Sequence, residues 1–284
     1  MIVVTGANGR LGRRVVERLL TRVPAADVAV SVRDRAAAAD LAARGVAVRE
    51  GDFDDPASLR AAFAGAEQVL VVSANAVGDV ALRRHRAAFE AAADAGAQRI
   101  LYTSHMGADP GSAFPPMVSH AASEALLAEL GVPHTALRNG FYASTVPMLA
   151  ERARETGTLA APADGPVSWT THDDLAEAAA IVLTEPGRFE GPTPPLTAPA
   201  AFDLDDVAGW LSMERVVTSD AEHHATLVAA GVPPERADIL VGMFQASRRG
   251  EFARTDPALA ELLGREPQTL RDVLVPATRR RART

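Results

Sequence analysis

Cysteine is absent from the 284 residues, which excludes disulfides, thiolate metal sites and cysteine nucleophiles. Lysine is absent as well: all 29 basic residues are arginine. A compositional bias toward Arg and Ala accounts for this, and the chemical consequence holds whatever the origin. The chain can form no Schiff base, no phosphate-loop lysine contact and no Tyr-x-x-x-Lys proton relay. Tyrosine and tryptophan are scarce, at two each. No run of about 18 apolar residues occurs, so no membrane span is expected. Net positive charge is also missing; a formal charge of −7 gives no support to a nucleic-acid surface. Met1 leads directly into an apolar pattern with no room for a signal peptide, so a cytoplasmic location is expected. The pair His223-His224 has only the outward look of a metal motif, since adjacent helix residues diverge; no metal is expected.

What is present begins at the first residues. Ile2–Thr5 is a short apolar run, and Gly6-Ala7-Asn8-Gly9-Arg10-Leu11-Gly12 follows it. Apolar residues then recur at helical spacing through Leu11, Val15, Val16, Leu19, Leu20 and Val23. Strand, glycine-rich turn and amphipathic helix in that order make a dinucleotide-phosphate site. One glycine permits the tight turn, one admits the pyrophosphate to the backbone, and one lets helix and strand pack closely. The spacing is GxxGxxG rather than GxGxxG, and three such glycines alone also fit a ligand-free turn. Their place at the head of a βαβ pattern favours a nucleotide.

Strand signals fall at Ile2–Thr5, Asp27–Arg33, Val46–Glu50, Gln68–Ser73, Arg99–Thr103 and His134–Arg138. Most are nearly continuous apolar runs, as in strands covered on both faces. Helical patterns separate them at Arg35–Ala43, Pro56–Ala64, Asp79–Ala95 and Ser119–Leu130. This alternation predicts an α/β fold, a Rossmann-type doubly wound parallel sheet with a smaller C-terminal lobe. The expected division is a dinucleotide-binding core over 1–145, a smaller substrate lobe over 146–278 in which 168–186 packs on the core, and a disordered basic tail over 279–284. Pro/Gly clusters at Pro162–Pro166 and Pro186–Pro199 read as loops around short strands. Helices are expected at Asp173–Leu183, Leu204–Leu211, Ala221–Ala230, Pro234–Ser247, Pro257–Leu263 and Thr269–Val273.

The end of the second strand selects between nicotinamide cofactors: an acid there binds the NAD ribose, an arginine accommodates the NADP 2′-phosphate. Arg33 occupies that position, followed by Asp34. The paired donors of Arg33 suit a phosphate, with help from Arg10, and the reading is NADPH. The alternative is a solvated Arg33 with Asp34 selecting NAD. Asp52 can accept a hydrogen bond from the adenine amino group with Phe53 beside the base, or can simply prepare the next turn. Ser73, Ala74 and Asn75 end the fourth strand, where ligands of open α/β sheets sit.

Taken together, Ile2–Gly12, Arg33, Gly51-Asp52, Tyr102-Thr103-Ser104 and Leu137-Arg138-Asn139-Gly140-Phe141-Tyr142 resemble the NmrA-like branch of atypical short-chain dehydrogenases. Within it the chain is most similar to the NADPH-dependent quinone oxidoreductase type 2 group, and the triphenylmethane reductases share the pattern. The resemblance spans nearly the whole chain. It implies that Gly6 to Leu11 wrap the pyrophosphate and Arg33 takes the 2′-phosphate. It also implies that Ser73 to Asn75 line the ribose, that Thr103 and Ser104 border the cofactor, and that Asn139, Gly140, Phe141, Tyr142, Ala143 and Ser144 line the nicotinamide and substrate pocket. Two departures stand out. Ala143-Ser144-Thr145 replaces a common Glu-Asn pair after the tyrosine, and the family His-x-x-x-Glu-Lys reads His120-Ala121-Ala122-Ser123-Glu124-Ala125.

Without the Tyr/Lys relay, reversible alcohol chemistry is disfavoured. A quinone or similar flat electrophile needs mainly positioning against the nicotinamide. The expected activity is therefore NADPH-dependent hydride transfer to a small quinone-like molecule. A proton could come from Tyr142, His105 or water. Each side chain has a plainer reading: Tyr142 as a packing residue, His105 as an exposed residue of the Ser104–Phe114 loop, His120 as a helix-start residue bonded to Glu124. The same branch also contains non-catalytic NAD(P)-sensing regulators of the NmrA type, which fit the lost relay equally well; an isomerase or ether-type reductase is the third reading. Oligomeric state is open, a homodimer included.

Overall fold

The structure is a computed structural model and describes residues 1–275. Its elements in chain order are β1 (Ile2–Thr5), α1 (Arg10–Leu19), β2 (Val28–Val32), α2 (Ala39–Ala43), β3 (Ala47–Glu50), α3 (Pro56–Phe63), β4 (Gln68–Val71), α4 (Gly78–Asp94), β5 (Arg99–His105), α5 (Pro115–Glu129) and β6 (His134–Asn139). There follow β7 (Phe141–Tyr142), α6 (Thr145–Leu149), α7 (Glu151–Thr156), β8 (Thr158–Pro162), β9 (Trp169–Thr170), α8 (His172–Thr184), β10 (Gly191–Pro192), α9 (Leu204–Leu211), β11 (Glu214–Thr218), α10 (Asp220–Ala229), α11 (Pro234–Arg248), α12 (Ala258–Leu263) and α13 (Leu270–Leu274). The chain divides into two compact units. One holds Met1–Pro110, Pro116–Asn139 and His172–Leu196; the other holds Gly111–Pro115, Gly140–Thr171 and the described chain from Thr197 to Val275. The basic tail over 279–284 lies outside the described residues.

The first unit is a seven-stranded sheet of order β10-β6-β5-β4-β1-β2-β3, parallel at every pairing. Strand order reverses between β1 and β4, and ligands of such sheets bind at that switch point. β1, β2 and β5 are buried at every position, as strands covered on both faces must be. One core is built from Val3, Ala29, Val69, Val71, Ile100 and Tyr102 of the sheet against Leu59, Phe63, Phe89, Ala92 and Leu127 of the helices. α1 buries Leu11, Val15, Val16 and Leu19, while α8 buries Ala176, Ala178, Ala179 and Ala180; an Arg14–Asp173 ion pair of 2.7 Å joins the two helices.

The second unit carries two short two-stranded sheets, β11-β8 and β7-β9. In β11, the mostly buried Arg215 donates to the carbonyls of Ala161 (2.8 Å) and Pro162 (2.6 Å), bracing β8. Among the described residues no helix is long and apolar enough to cross a membrane, and no group of three or more His, Asp or Glu residues could hold a metal ion.

Three local expectations are corrected. The helix expected over Arg35–Ala43 is a 3-10 turn at Ala36–Ala38 leading into α2. Asp34 explains the tight start, because its Oδ1 accepts the Ala36 and Ala37 N–H groups at 2.9 and 3.3 Å. β5 runs on to His105, since Ser104 and His105 pair with Arg138 and Asn139. α5 begins at Pro115 rather than Ser119.

Candidate functional site

The glycine loop follows from its backbone. Gly6 adopts φ +65°, a left-handed conformation open to glycine at no steric cost. Its carbonyl accepts the Gly9 N–H at 2.9 Å, closing the turn. A Cβ on Gly12 would fall on the Gly6 carbonyl oxygen, so only glycine lets α1 approach this closely. Asn8 Nδ2 donates to the Asp34 carbonyl at 2.8 Å and ties the loop to the segment after β2. Ala7 is buried, while Asn8 and Arg10 are exposed. Gly9 caps α1 with no side-chain acceptor, and the first turn holds no acidic residue. The N-terminal N–H groups of α1 thus meet no carboxylate of their own, which is the condition for binding an external anion.

Arg33 directly follows β2, is exposed, and makes no hydrogen bond or ion pair among the described residues. Asp34 is engaged as the cap just described. The two residues that competed for the selector role therefore differ: Arg33 has no hydrogen-bond or ion-pair partner among the described residues, and one carboxylate oxygen of Asp34 is taken up by the turn. Asp52 lies two residues past β3. Its Oδ1 accepts the Asp54 N–H at 3.0 Å, and its own N–H donates to Ser58 Oγ at 2.9 Å. It makes the turn into α3, and Phe53 packs at the margin of the core.

Past β4, side chains rather than strands take up successive backbone donors. Val72 N–H donates to Thr5 Oγ1 (2.9 Å), Ser73 N–H to Thr103 Oγ1 (2.8 Å) and Ala74 N–H to His85 Nε2 (2.9 Å). Thr103 Oγ1 also donates to Ser73 Oγ at 3.2 Å. Asn75 is exposed beside this pinned stretch. Thr103 and Ser104 are both buried. Ser104 Oγ donates to Glu124 Oε1 at 2.5 Å, and Arg138 grips the same carboxylate with two bonds, 3.0 and 2.6 Å. This brace joins β5, α5 and β6. It also replaces the expected His120–Glu124 contact: His120 Nδ1 instead meets the Tyr102 hydroxyl at 2.8 Å.

His105 is not the exposed loop residue the sequence suggested. It ends β5, is 9% exposed, and its Nδ1 accepts the Gly107 N–H at 3.0 Å. Burial drives its pKa well below the ordinary histidine value, so it stands as a neutral imidazole. Its ring stacks 6.2 Å from His120. Burial likewise brings His120 to about 4 and His85 to about 3.

Asn139 ends β6 in the first unit. Its carbonyl accepts the Met106 N–H at 2.8 Å, and its buried side-chain Oδ1 has no hydrogen-bond partner among the described residues. Gly140, Phe141, Tyr142, Ala143 and Ser144 lie in the second unit. There Phe141 is ringed by Trp169, Phe252 and Phe114 at centroid distances of 5.3, 5.1 and 5.9 Å. Ala143 N–H donates to the Thr170 carbonyl at 2.9 Å, while Tyr142 and Ser144 are half-buried.

Sequence reasoning missed Thr5, His85 and the Glu124–Arg138 pair. His85 had a readable signal: it shares one α4 face with Ala81, Ala88, Phe89 and Ala92, all buried, and a histidine on an apolar stripe needs polar partners.

A switch-point glycine loop, a helix end free of carboxylates and an arginine after β2 with no ion pair among the described residues are the features of a dinucleotide-binding α/β protein. The chain belongs to the NAD(P)H-binding family, whose model matches residues 6–186. It is 36% identical to quinone oxidoreductase 2 of Escherichia coli over 277 residues, covering 95% of this chain and 96% of that protein. The E. coli NADPH-dependent quinone oxidoreductase crystallised with NADPH superposes with a TM-score of 0.91 at 34% identity, covering 96% of this chain and 98% of the other. The triphenylmethane reductase of Citrobacter sp., complexed with NADP(H), gives a TM-score of 0.88 at 35% identity, with 96% and 99% covered.

Proposed function

We propose that the protein is an NADPH-dependent oxidoreductase that passes hydride to a quinone or a similar flat electrophile. The observation that carries the reading is full-length likeness to reductases of this kind in a chain that keeps the open, carboxylate-free phosphate loop. The chemistry agrees. With no lysine in the chain and with Glu124 tied to Arg138 and Ser104, α5 offers no relay for alcohol oxidation. Acceptors that need positioning more than proton transfer remain.

In this reading the first turn of α1 and Gly6 to Gly12 hold the pyrophosphate, and Arg33 holds the 2′-phosphate with charge-assisted bonds. Asp52 and Phe53 border the adenine. Ser73, Ala74 and Asn75 border a ribose; Thr103 acts through Ser73, and Ser104 through Glu124. The orphaned Oδ1 of Asn139 is suited to accept from an amide such as the nicotinamide carboxamide. When bound, the reduced nicotinamide supplies the hydride from C4. Gly140 to Ser144 serve the substrate side, with the Tyr142 hydroxyl as the proton donor to the reduced acceptor. Neutral His105, with its proton on Nε2, is the second candidate. The compartment in this reading is the cytoplasm, and light scattering distinguishes monomer from homodimer.

Steady-state oxidation of NADPH and of NADH, each with and without a simple benzoquinone, tests the proposal. Quinone-dependent turnover that favours NADPH is expected. Tight NADPH binding without turnover on any of several quinones would replace it with the sensor reading.

A further inference from the structure

His85 lies in the middle of α4, at no strand end and in no loop, yet it touches the cofactor side of the sheet through one nitrogen. An amide N–H can only donate, so the Ala74 N–H at 2.9 Å requires a bare lone pair on His85 Nε2. The ring proton therefore sits on Nδ1, where it donates to Ser123 Oγ at 2.8 Å. Ser123 in turn donates to the Ser119 carbonyl at 2.7 Å, and Ser119 Oγ accepts the Gly78 N–H at 2.8 Å. His85 and Ser123 are 2% and 0% exposed, so water does not reach the His85–Ser123 link at the centre of this chain. One neutral imidazole thus anchors the front of the Ser73–Val77 connection to α5, and Ser119 anchors its back.

Topology says which part of a dinucleotide this connection meets. The pyrophosphate belongs over β1 and α1. Arg33, at the end of β2, fixes the 2′-phosphate and the adenosine on one side of β1. β4 lies on the opposite side of β1, so the end of β4 faces the nicotinamide half.

We propose that His85 is a positioning residue for the nicotinamide half of the cofactor: its Nε2 sets the Ala74 peptide, and with it the Ser73–Asn75 backbone against the nicotinamide ribose. The inference rests on the cofactor reading above. It assigns no contact between His85 and the ligand.

The test compares two ligands on purified protein, with equilibrium binding of NADPH and of adenosine 2′,5′-bisphosphate read by calorimetry. The fragment carries the adenosine phosphates but no nicotinamide. His85→Leu keeps the bulk and removes the acceptor; His85→Gln keeps an acceptor oxygen at the place of Nε2. Removing the acceptor that sets the half-buried Ala74 amide predicts an NADPH affinity about tenfold weaker for His85→Leu, with fragment affinity unchanged and His85→Gln restoring most of the loss. Thr103→Val removes the neighbouring acceptor of Ser73 N–H, is nearly isosteric, and gives the same split if His85→Leu does not fold. Equal loss of both ligands, NADPH binding like the unsubstituted protein, or no recovery in His85→Gln overturns the assignment. Failure of the unsubstituted protein to bind either ligand would instead remove the cofactor reading on which the assignment stands.

Discussion

Replacing Gly12 and Gly9 separately by alanine should divide stability from binding within one loop. A Cβ at Gly12 meets the Gly6 carbonyl oxygen and lies 2.7 Å from the Gly6 carbonyl carbon and 3.1 Å from the Ala7 nitrogen. All three are backbone atoms. Gly6 cannot swing aside, because its carbonyl holds the Gly9 N–H at 2.9 Å and its own N–H donates to Ser31 O at 3.2 Å. Relief requires α1 to lift from the sheet, which unpacks Val15, Val16 and Leu19. Overpacking of this kind costs about 1–3 kcal/mol, or roughly 3–10 °C in melting temperature for a chain of this size. Gly9 differs. Its φ of −90° suits any residue, and the nearest atom to its Cβ is the Gly6 oxygen at 3.2 Å, a contact eased by a few tenths of an ångström. Gly9→Ala should therefore melt within about 2 °C of the unsubstituted protein, yet bind NADPH more weakly, because the methyl stands where the pyrophosphate approaches. Differential scanning fluorimetry and NADPH titration read the two effects. Gly12→Ala melting unchanged, or Gly9→Ala binding NADPH undiminished, would refute the cradle geometry.

Other outcomes follow from the same structure. Arg33→Ala should weaken NADPH binding about ten- to a hundredfold through lost charge-assisted bonds while sparing NADH; equal losses in a titration of both would remove Arg33 as selector. Tyr142→Phe should lower kcat for quinone reduction while leaving the KM for NADPH intact, and an unchanged kcat would take the hydroxyl out of the chemistry. Stability should fall with acid. His85 and His120 titrate near 3 and 4 in the folded chain against about 6.5 unfolded. The unfolded state thus binds more protons between those values, and the melting temperature should decline as pH drops below about 6.5. A flat profile from pH 7 to 5 would contradict the buried neutral histidines. Glu124→Gln should destabilise by about 1–3 kcal/mol, since it leaves the half-buried Arg138 guanidinium without its carboxylate; urea melts check it.

The legible part of the fold was the part whose burial is two-sided. β1, β2, β4 and the Ile100–Tyr102 stretch of β5 are largely apolar runs because helices cover both faces, and such runs identify themselves. β8 and β11 did not. Thr158–Pro162 ends in proline, and Glu214–Thr218 has exposed or half-buried side chains throughout. The two pair across some fifty intervening residues through Arg215, a link that no local window contains. His105 looked like loop because Ser104-His105 is polar, yet pairing with Arg138 and Asn139 holds both in the strand. The glycine loop was legible because its constraint is largely local: Gly9 and Gly12 answer to Gly6 within six residues, and Gly6 itself needs a left-handed turn. The supports of the site were not, because Thr5, His85 and Glu124 act across 67, 11 and 14 residues on Val72, Ala74 and Arg138.

The most direct test of hydride transfer uses NADPH deuterated on one or the other face of C4, turned over with benzoquinone, with mass analysis of the NADP+ formed. A cofactor held in one orientation predicts complete loss of deuterium from one epimer and complete retention from the other. Mixed labelling from both epimers, or no quinone-dependent NADP+ at all, would contradict the account.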